Sequence, residues 1–343
     1  MHIQRKNPTV ISSWVRPLLD KLENEGIEID PLLEEAGIDK RMLMDPDARI
    51  RVEKMNSLWK QAVKITNNNS LGLEAAAYVR PTTPHALGFA MMVSDSLIDA
   101  FKRLSRFYRI VSDTIKLELD YLDDLFVVSL NANEIAPHPA NEALDMAMAS
   151  IILFARTLLQ IELNPDKVEF RREKPDNLTV YQQIFQSPVV FGAKTNRFFF
   201  RQQDIKCKLP SANTEIARCN DEIVIDYIAK FDKDNILNQV YAKIIKLLPL
   251  GEPSFDKLAS ALNISVRSLH RSLNKENITY RAILDEIRKY LAIQYLKKPQ
   301  YSIIEIAFQI GYSDSANFTR AFKRWFKISP SKYREQSQNE RSV

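Results

Sequence analysis

The chain has 343 residues, 45% hydrophobic and 27% charged, with a formal net charge of +5, as expected for a soluble globular protein of two or three domains. Two cysteines, Cys207 and Cys219, exclude a disulfide framework and a zinc cluster and suit a reducing compartment. No apolar run is long enough to cross a bilayer, and the first residues lack the apolar core of a signal peptide, so the protein is predicted to be cytoplasmic.

Residues 1–211 are predicted to form the N-terminal domain. Short helices are expected from about Val10 to Val79, then an amphipathic helix from Leu97 to Val111 with Arg103 towards water. Alternating apolar residues from Ile115 to Leu130 surround Asp123-Asp124 and predict a β-hairpin.

The rest of this domain mixes helix and strand. A long apolar helix is predicted from about Asn141 to Leu163, and a shorter one near Val180 to Phe185. Further strand candidates are Lys167 to Arg171, Val189 to Phe191 and Arg197 to Arg201. Helices beside a small sheet predict an α+β domain.

A helical segment at 212–235 follows as a predicted linker. Within it, Glu215 to Phe231 is amphipathic, and its apolar stripe consists of Ile216, Cys219, Ile223, Tyr227 and Phe231. Such a stripe is typical of a helix packed on its own domain, and a dimer contact is the alternative.

The last part of the chain is basic. From Val240 to the end there are 18 Lys plus Arg and 9 Asp plus Glu, a net of +9, whereas the remainder carries a net of −4. This asymmetry predicts that the last domain contacts a polyanion. Charge alone does not separate DNA from RNA or an anionic membrane.

The basic region contains a diverged repeat. Its first copy predicts a helix from Ser254 to Leu262, a turn at Asn263-Ile264, and a second helix from Ser265 to Lys275. Ser265 is the expected cap of that second helix. Val266, Leu269 and Leu273 are expected to face inward.

The second copy lies at Ile304 to Arg334. Ile304, Ala307, Phe308 and Ile310 give its first helix an apolar side, and Gly311 suits a turn with positive φ. Ser313 or Asp314 can cap the second helix, whose inward residues are Phe318, Ala321, Phe322 and Trp325.

A continuous helical pattern from Tyr280 to Leu296 joins the two copies. The predicted fold is therefore an α+β N-terminal domain plus an all-α C-terminal domain, 236–338, with two helix-turn-helix units joined by a long helix. Residues 339–343 are expected to be a disordered tail. Two such units can place two basic helices in successive major grooves, about 34 Å apart.

The doublet resembles the AraC/XylS family of bacterial transcription regulators. The matching residues of the second unit are Ile306-Ala307, Gly311-Tyr312-Ser313-Asp314, Phe318, Arg320 to Arg324, Ser329-Pro330 and Tyr333-Arg334. The first unit and linker helix add Ala259, Leu262-Asn263, Ser265, Arg267, Leu269, Arg271, Leu273, Arg288 and Ala292. Lys327 replaces the glycine usual in the family after the second basic helix.

The N-terminal part is similar to the so-called arabinose-binding domain of the subgroup that includes ornithine-utilisation regulators. The motifs that carry this resemblance are Asp45-Pro46-x-x-Arg49-Ile50, Leu71-Gly72-Leu73, Leu87-Gly88-Phe89, Ser96-Leu97-x-x-Ala100 and Pro188-Val189-x-Phe191. The domain's name does not establish a ligand.

The resemblance implies which side chains meet DNA. The side chains expected to contact base edges are Arg267, His270, Arg271, Ser315, Asn317 and Arg320. Ser265, at the start of the first basic helix, is also expected to bind DNA. Arginine can pair with guanine and asparagine with adenine. Lys323, Arg324 and Lys332 are better placed for phosphates, which give affinity without sequence information.

The predicted function is transcription regulation, with activation favoured and a small-molecule effector bound by the N-terminal domain. The expected partners are double-stranded DNA, a second copy of the chain and RNA polymerase. No catalytic motif, metal-ligand spacing or cofactor loop occurs, so neither an enzyme nor a cofactor is expected. The alternatives are an effector-independent dimeric regulator and, least favoured, an enzyme fused to a DNA-binding tail.

Overall fold

The computed structural model describes residues 8–132, 137–231, 236–298 and 300–339. Within them the chain forms two compact units, one up to Val224 and one from Ile225. Of the predicted tail at 339–343, only Asn339 is among the described residues. Residues 232–235 of the predicted linker also lie outside them.

The first unit combines helices with two sheets. Its strands are β1 Thr9–Ile11, β2 Arg49–Arg51, β3 Ile115–Leu122, β4 Leu125–Ala132, β5 Lys167–Glu169, β6 Val189–Val190 and β7 Asn196–Arg201. Its helices are α1 Arg16–Asn24, α2 Asp30–Glu35, α3 Val52–Thr66, α4 Leu71–Ala75, α5 Ala86–Met92, α6 Leu97–Phe107, α7 Asn141–Leu159, α8 Thr179–Phe185 and α9 Gln202–Ile205. Helix α10, Thr214–Phe231, begins in this unit and ends in the next.

The main sheet has the order β3-β4-β7-β5-β6, with every pair antiparallel except β5 and β6. The predicted hairpin is confirmed, and Asp123 takes a positive φ of 51° in its turn. Helix α6 covers the sheet, because the Phe101 ring lies 6.1 Å from Phe126 and 5.7 Å from Phe200. The α+β prediction is confirmed.

Several local predictions were wrong. Strands β1 and β2 pair within the stretch predicted to be helical. Helix α6 ends at Phe107 rather than Val111, since the next three residues form a 3-10 turn. Helix α7 ends at Leu159 because Gln160 adopts a left-handed conformation.

Arg103 was predicted to face water but is 5% exposed. Its Nε donates to both carboxylate oxygens of Asp221 at 3.1 Å, and one terminal nitrogen donates to the Ser94 hydroxyl at 3.0 Å. Asp221 lies on α10, 118 residues further along the chain. A buried ion pair therefore holds the start of α10 against α6.

The same contact decides which face of α10 is buried. Ala217, Asp221 and Val224 are buried, whereas Ile216 and Ile223 of the predicted stripe are 48% and 50% exposed. Cys219 is also exposed. The first half of the stripe is therefore exposed, whereas Tyr227 in its second half is buried.

The C-terminal compact unit is all-helical, as predicted. Its helices are α11 Ile236–Leu247, α12 Phe255–Ala261, α13 Val266–Lys275, α14 Tyr280–Leu296, α15 Ile303–Gln309, α16 Ser315–Phe326 and α17 Pro330–Asn339. One face of α14 is buried and contributes Ile283, Ile287, Leu291 and Tyr295 to the core. Residues from both helix-turn-helix units meet this one core, so α14 fixes the units on a common support.

Candidate nucleic-acid interface

The first helix-turn-helix unit consists of α12, a tight turn and α13. Ser254 caps α12, and Asn263 turns the chain with a φ of 55°. Ser265 accepts from the Ser268 amide at 3.1 Å, which satisfies one free N–H of α13. Leu269 and Leu273 anchor α13 in the core.

The second unit consists of α15, a glycine turn and α16. Gly311 has a φ of 76°, which favours glycine, and a Cβ there would lie 2.7 Å from the Leu248 Cδ2 and 3.2 Å from the Glu252 backbone nitrogen, so a larger residue would crowd this turn. Asp314 caps α16 by accepting from the Asn317 amide at 2.6 Å, which lowers the pKa of its carboxyl. Phe318 and Phe322 are buried, as predicted.

Two expectations about the apolar faces were wrong. Val266 is 37% exposed instead of facing inward, because it begins α13 ahead of the buried Leu269. Ile304 and Phe308 are 56% and 51% exposed, while Ala307 on the same helix is buried. The apolar contact of α15 is therefore narrower than its sequence implies.

The exposed face of α13 carries three of the side chains predicted at base edges. Arg267, His270 and Arg271 are all exposed. The His270 ring packs against Phe255 with centroids 4.1 Å apart and the ring planes tilted by 31°, which restrains the imidazole. The Ser265 hydroxyl bonds to the Ser268 hydroxyl at 2.8 Å in addition to its capping bond.

The exposed face of α16 carries Arg320, Lys323 and Arg324. One Arg324 nitrogen lies 3.1 Å from an Asp285 oxygen on α14, so this arginine is also an intramolecular partner. Ser315 is half-buried at the start of α16, whereas Lys332 is exposed on α17.

Asn317, a candidate for adenine, is half-buried and already bonded on both sides. Its amide nitrogen donates to Asp314, and its oxygen accepts from Arg320 at 2.6 Å. The side chain therefore orients Arg320 in this structure. Sequence spacing placed Asn317 near the interface without revealing that its hydrogen bonds are satisfied locally.

Arg288, on α14, contacts the glycine turn of the second helix-turn-helix unit. It is 4% exposed, and it donates to the Ile310 carbonyl at 2.9 Å and to the Gly311 carbonyl at 2.7 Å. Its third nitrogen lies 2.9 Å from Glu252, and its guanidinium stacks 4.1 Å from the Tyr312 ring centroid. Arg288 thus holds the glycine turn that aims α16.

A similar contact fixes the C-terminal end of α14, the helix that joins the two helix-turn-helix units. Arg334 of α17 donates to the Leu296 carbonyl at 3.3 Å and to the Tyr301 carbonyl at 2.7 Å. Carbonyls at a helix C-terminus have no intrahelical donor, so this arginine caps α14. In the sequence, Arg288 and Arg334 stood out only through the family resemblance.

Lys327 ends α16 in the left-handed conformation, with φ 63° and ψ 2°. Its amide donates to the Lys323 carbonyl at 2.9 Å, the bond expected at such a helix end. Lys327 therefore adopts the left-handed conformation that glycine usually takes at such a turn. This conformation is less favourable for a residue with a side chain than for glycine.

The N-terminal compact unit contains a buried polar cluster that is separate from the helix-turn-helix units. Asp145 on α7 accepts from Arg172 and, at 2.7 Å, from the Tyr181 hydroxyl, and its side chain is 1% exposed. Burial raises the pKa of Asp145 to about 6, although the charge of Arg172 and these hydrogen bonds oppose the rise. The cluster lies against aromatic rings, since Tyr181 is 5.3 Å from Phe170.

This cluster predicts a pH dependence of stability. The folded pKa of about 6 exceeds the reference value of 3.8, so folded Asp145 takes up a proton as pH falls through 6 while an unfolded chain stays ionised. The stabilisation is fully present below about pH 4 and is lost as pH rises through 6. Relative to wild type, Asp145→Asn is expected to remove about 3 kcal/mol of this pH-dependent change in the free energy of unfolding.

Urea unfolding at a series of pH values measures that slope. Asp176→Asn, an exposed substitution in the same unit, is the control and should follow wild type. Equal slopes for wild type and Asp145→Asn would contradict the assignment.

Among the described residues, no helix is long and apolar enough to cross a membrane. The same residues contain no group of three or more histidine, cysteine, aspartate or glutamate side chains placed to hold a metal ion.

Comparison with known proteins identifies both parts of the chain. Residues 26–209 match the family model described as the arabinose-binding domain of AraC transcription regulator, and residues 258–336 match a helix-turn-helix domain model. The second match spans both basic helices, α13 and α16.

Individual relatives are transcription regulators. The chain is 28% identical over 326 residues to the ornithine utilization regulator of Pseudomonas aeruginosa, covering 94% of this chain and 95% of that one. It is 32% identical over 108 residues to the urease operon transcriptional activator of Escherichia coli, 32% of this chain and 36% of that one. The solved structure of the transcriptional regulator CdpR from Pseudomonas aeruginosa covers 98% of this chain and is itself covered completely, at 20% identity and a TM-score of 0.46.

The arabinose-binding domain model alone matches more than half of the residues, and the helix-turn-helix model adds the basic C-terminal unit. The chain therefore belongs to the AraC family of DNA-binding transcription regulators.

Proposed function

We propose that α13 and α16 are the two recognition helices and that each enters a major groove of the same duplex. The observation that carries this is the shared design of the two units. Each basic helix is capped by a side chain, anchored by two buried apolar residues, and exposes arginine on its outer face. In a helix-turn-helix protein that face meets the bases.

The proposed roles follow from the side chains. Arg267, Arg271 and Arg320 read guanine through bidentate hydrogen bonds, and His270 and Ser315 lie beside them at base edges. Ser265, through its position at the start of α13, belongs to the same interface. Lys323, Arg324 and Lys332 contact phosphates. Asn317 acts on DNA through the orientation that it gives to Arg320.

Substitution of Arg320 by alanine tests this assignment. Specific binding is expected to weaken by about 1–3 kcal/mol, with relaxed preference at one base pair, because a bidentate contact is lost. Lys323→Ala should instead reduce the salt slope by about one unit while preserving the base preference. Affinity and base preference are measured at fixed salt, and the salt slope over a series of salt concentrations, on a duplex selected by the full chain from a random library. An unchanged affinity and preference for Arg320→Ala would count against the model.

We further propose that the N-terminal unit binds a small-molecule effector and that its binding changes DNA affinity or activity. Support comes from the match of residues 26–209 to a domain described as arabinose-binding and from a relative named as a regulator of ornithine utilization. A ligand shifts such an equilibrium only by its differential affinity for the two states. The chain is then an activator that recruits RNA polymerase, acts as a homodimer in the cytoplasm and has no enzymatic activity.

Screening sugars and amino acids against the full chain tests the effector proposal. An effector should raise the unfolding temperature and change DNA affinity at the same concentration. A compound series that alters neither would favour the effector-independent dimeric regulator. Transcription in vitro with purified RNA polymerase then distinguishes activation from repression.

A further inference from the structure

The two basic helices can be aligned residue by residue because both begin at a side-chain cap. Ser265 caps α13 and Asp314 caps α16 in the same way, each accepting from the amide three residues later. From these caps, the buried Leu269 and Leu273 correspond to the buried Phe318 and Phe322. The alignment therefore follows the packing as well as the sequence.

Within the first turn of the two helices, one aligned position that is exposed in both differs in chemistry. The second residue of α13 is Arg267, and the second residue of α16 is Ala316, and both are exposed. Four residues later the helices agree, with exposed Arg271 and Arg320. Ala316 and Arg320 lie on one face of α16 because residues four apart are neighbours on a helix.

This position is well placed for base contact. The N-terminal residues of a recognition helix touch base edges in the major groove. Arginine there pairs with the two acceptors of guanine, whereas an alanine methyl makes an apolar contact with the C5-methyl of thymine. A short side chain also lets the helix start approach the groove floor more closely than an arginine would.

We propose that Ala316 contacts the methyl group of a thymine, so that the two helices read different bases at equivalent positions. The half-site under α13 carries guanine opposite Arg267, and the half-site under α16 carries thymine opposite Ala316. The operator halves are therefore related but not identical. This inference rests on the proposed function, in which both helices enter major grooves.

Removing the thymine methyl is the direct test. A duplex is selected by the full chain from a random library, and each thymine of the α16 half-site is replaced singly by deoxyuridine. One replacement should weaken binding about threefold to fourfold, as expected for one buried methyl group. For Ala316→Gly that same replacement should have no effect, because the protein methyl is absent.

The controls separate contact from helix stability. Ala282→Gly substitutes another exposed alanine in the first turn of a helix, α14, and should retain the full deoxyuridine effect. Ala316→Arg provides a gain of specificity and should shift the preferred base from thymine to guanine at that one pair. Thymines under α13 should respond equally in wild type and Ala316→Gly.

The outcomes distinguish this inference from the function beneath it. If the deoxyuridine effect is absent or equal in wild type and Ala316→Gly, while Arg320→Ala still changes base preference, the methyl contact is wrong and the two-helix model stands. If neither Arg320→Ala nor any Ala316 variant changes base preference, the placement of α16 in the groove is wrong as well.

Discussion

Replacing Arg288 by methionine is expected to lower the free energy of unfolding of the C-terminal unit by about 1–3 kcal/mol, the cost of leaving a buried hydrogen-bonding group unsatisfied. The substitution leaves the Ile310 and Gly311 carbonyls without their guanidinium donor, and it removes the cation stacked on Tyr312. The glycine turn should loosen before the rest of the unit, with α16 losing its fixed direction.

Hydrogen exchange read by mass spectrometry measures this locally. Amides of α15 and α16 should lose more protection than those of α13, and specific DNA binding should fall with them. Lys289→Met is the matched control, because it changes the next residue on α14, whose side chain is exposed. Its effect should stay within about 0.5 kcal/mol, as for most surface substitutions. Equal exchange in the two variants would refute the role given to Arg288.

The second large effect is expected at Asp221. Its replacement by alanine leaves the buried Arg103 guanidinium without the carboxylate opposite its Nε, and such losses cost about 3–5 kcal/mol. The double substitution Arg103→Met with Asp221→Leu should recover much of that stability, because a buried ion pair can often be replaced by apolar residues of similar volume.

Denaturant unfolding of the full chain compares these variants. Glu222→Ala on the same helix removes the partner of Arg218 in a more exposed ion pair and should cost at most about 1 kcal/mol. If Asp221→Ala is no worse than Glu222→Ala, the Arg103 contact does not anchor α10. If the double variant stays as unstable as the single one, the loss does not come from the unpaired charge.

The C-terminal unit was predictable because its determinants are local. Ser265 and Asp314 cap the helices that follow them, and Gly311 takes a positive φ within its own turn. Helical spacing then identified most of the buried side chains. Local patterns could not show that Asn317 is satisfied by Asp314 and Arg320, because several hydrogen-bond partners were available to it.

The N-terminal unit was less predictable because distant contacts decide its details. Arg103 is buried by a partner 118 residues away, and that same contact selects the buried face of α10. The sequence stripe consequently indicated the exposed face at Ile216 and Ile223, in the first half of α10, although its Tyr227 is buried. Strands β1 and β2 have three residues each, too few for alternation to reveal them.

The packing of Gly311 against Leu248 has a practical consequence for dividing the chain. The helix-turn-helix match begins at residue 258, yet Val240, Ile244 and Leu248 of α11 and the turn after it belong to the same core. A fragment cut at the start of the match would lack these apolar residues and leave the floor of the glycine turn open to water. A piece that preserves this core has to include α11, and Ile225 of α10 packs against the core as well, so the boundary of sequence similarity is not the boundary of folding.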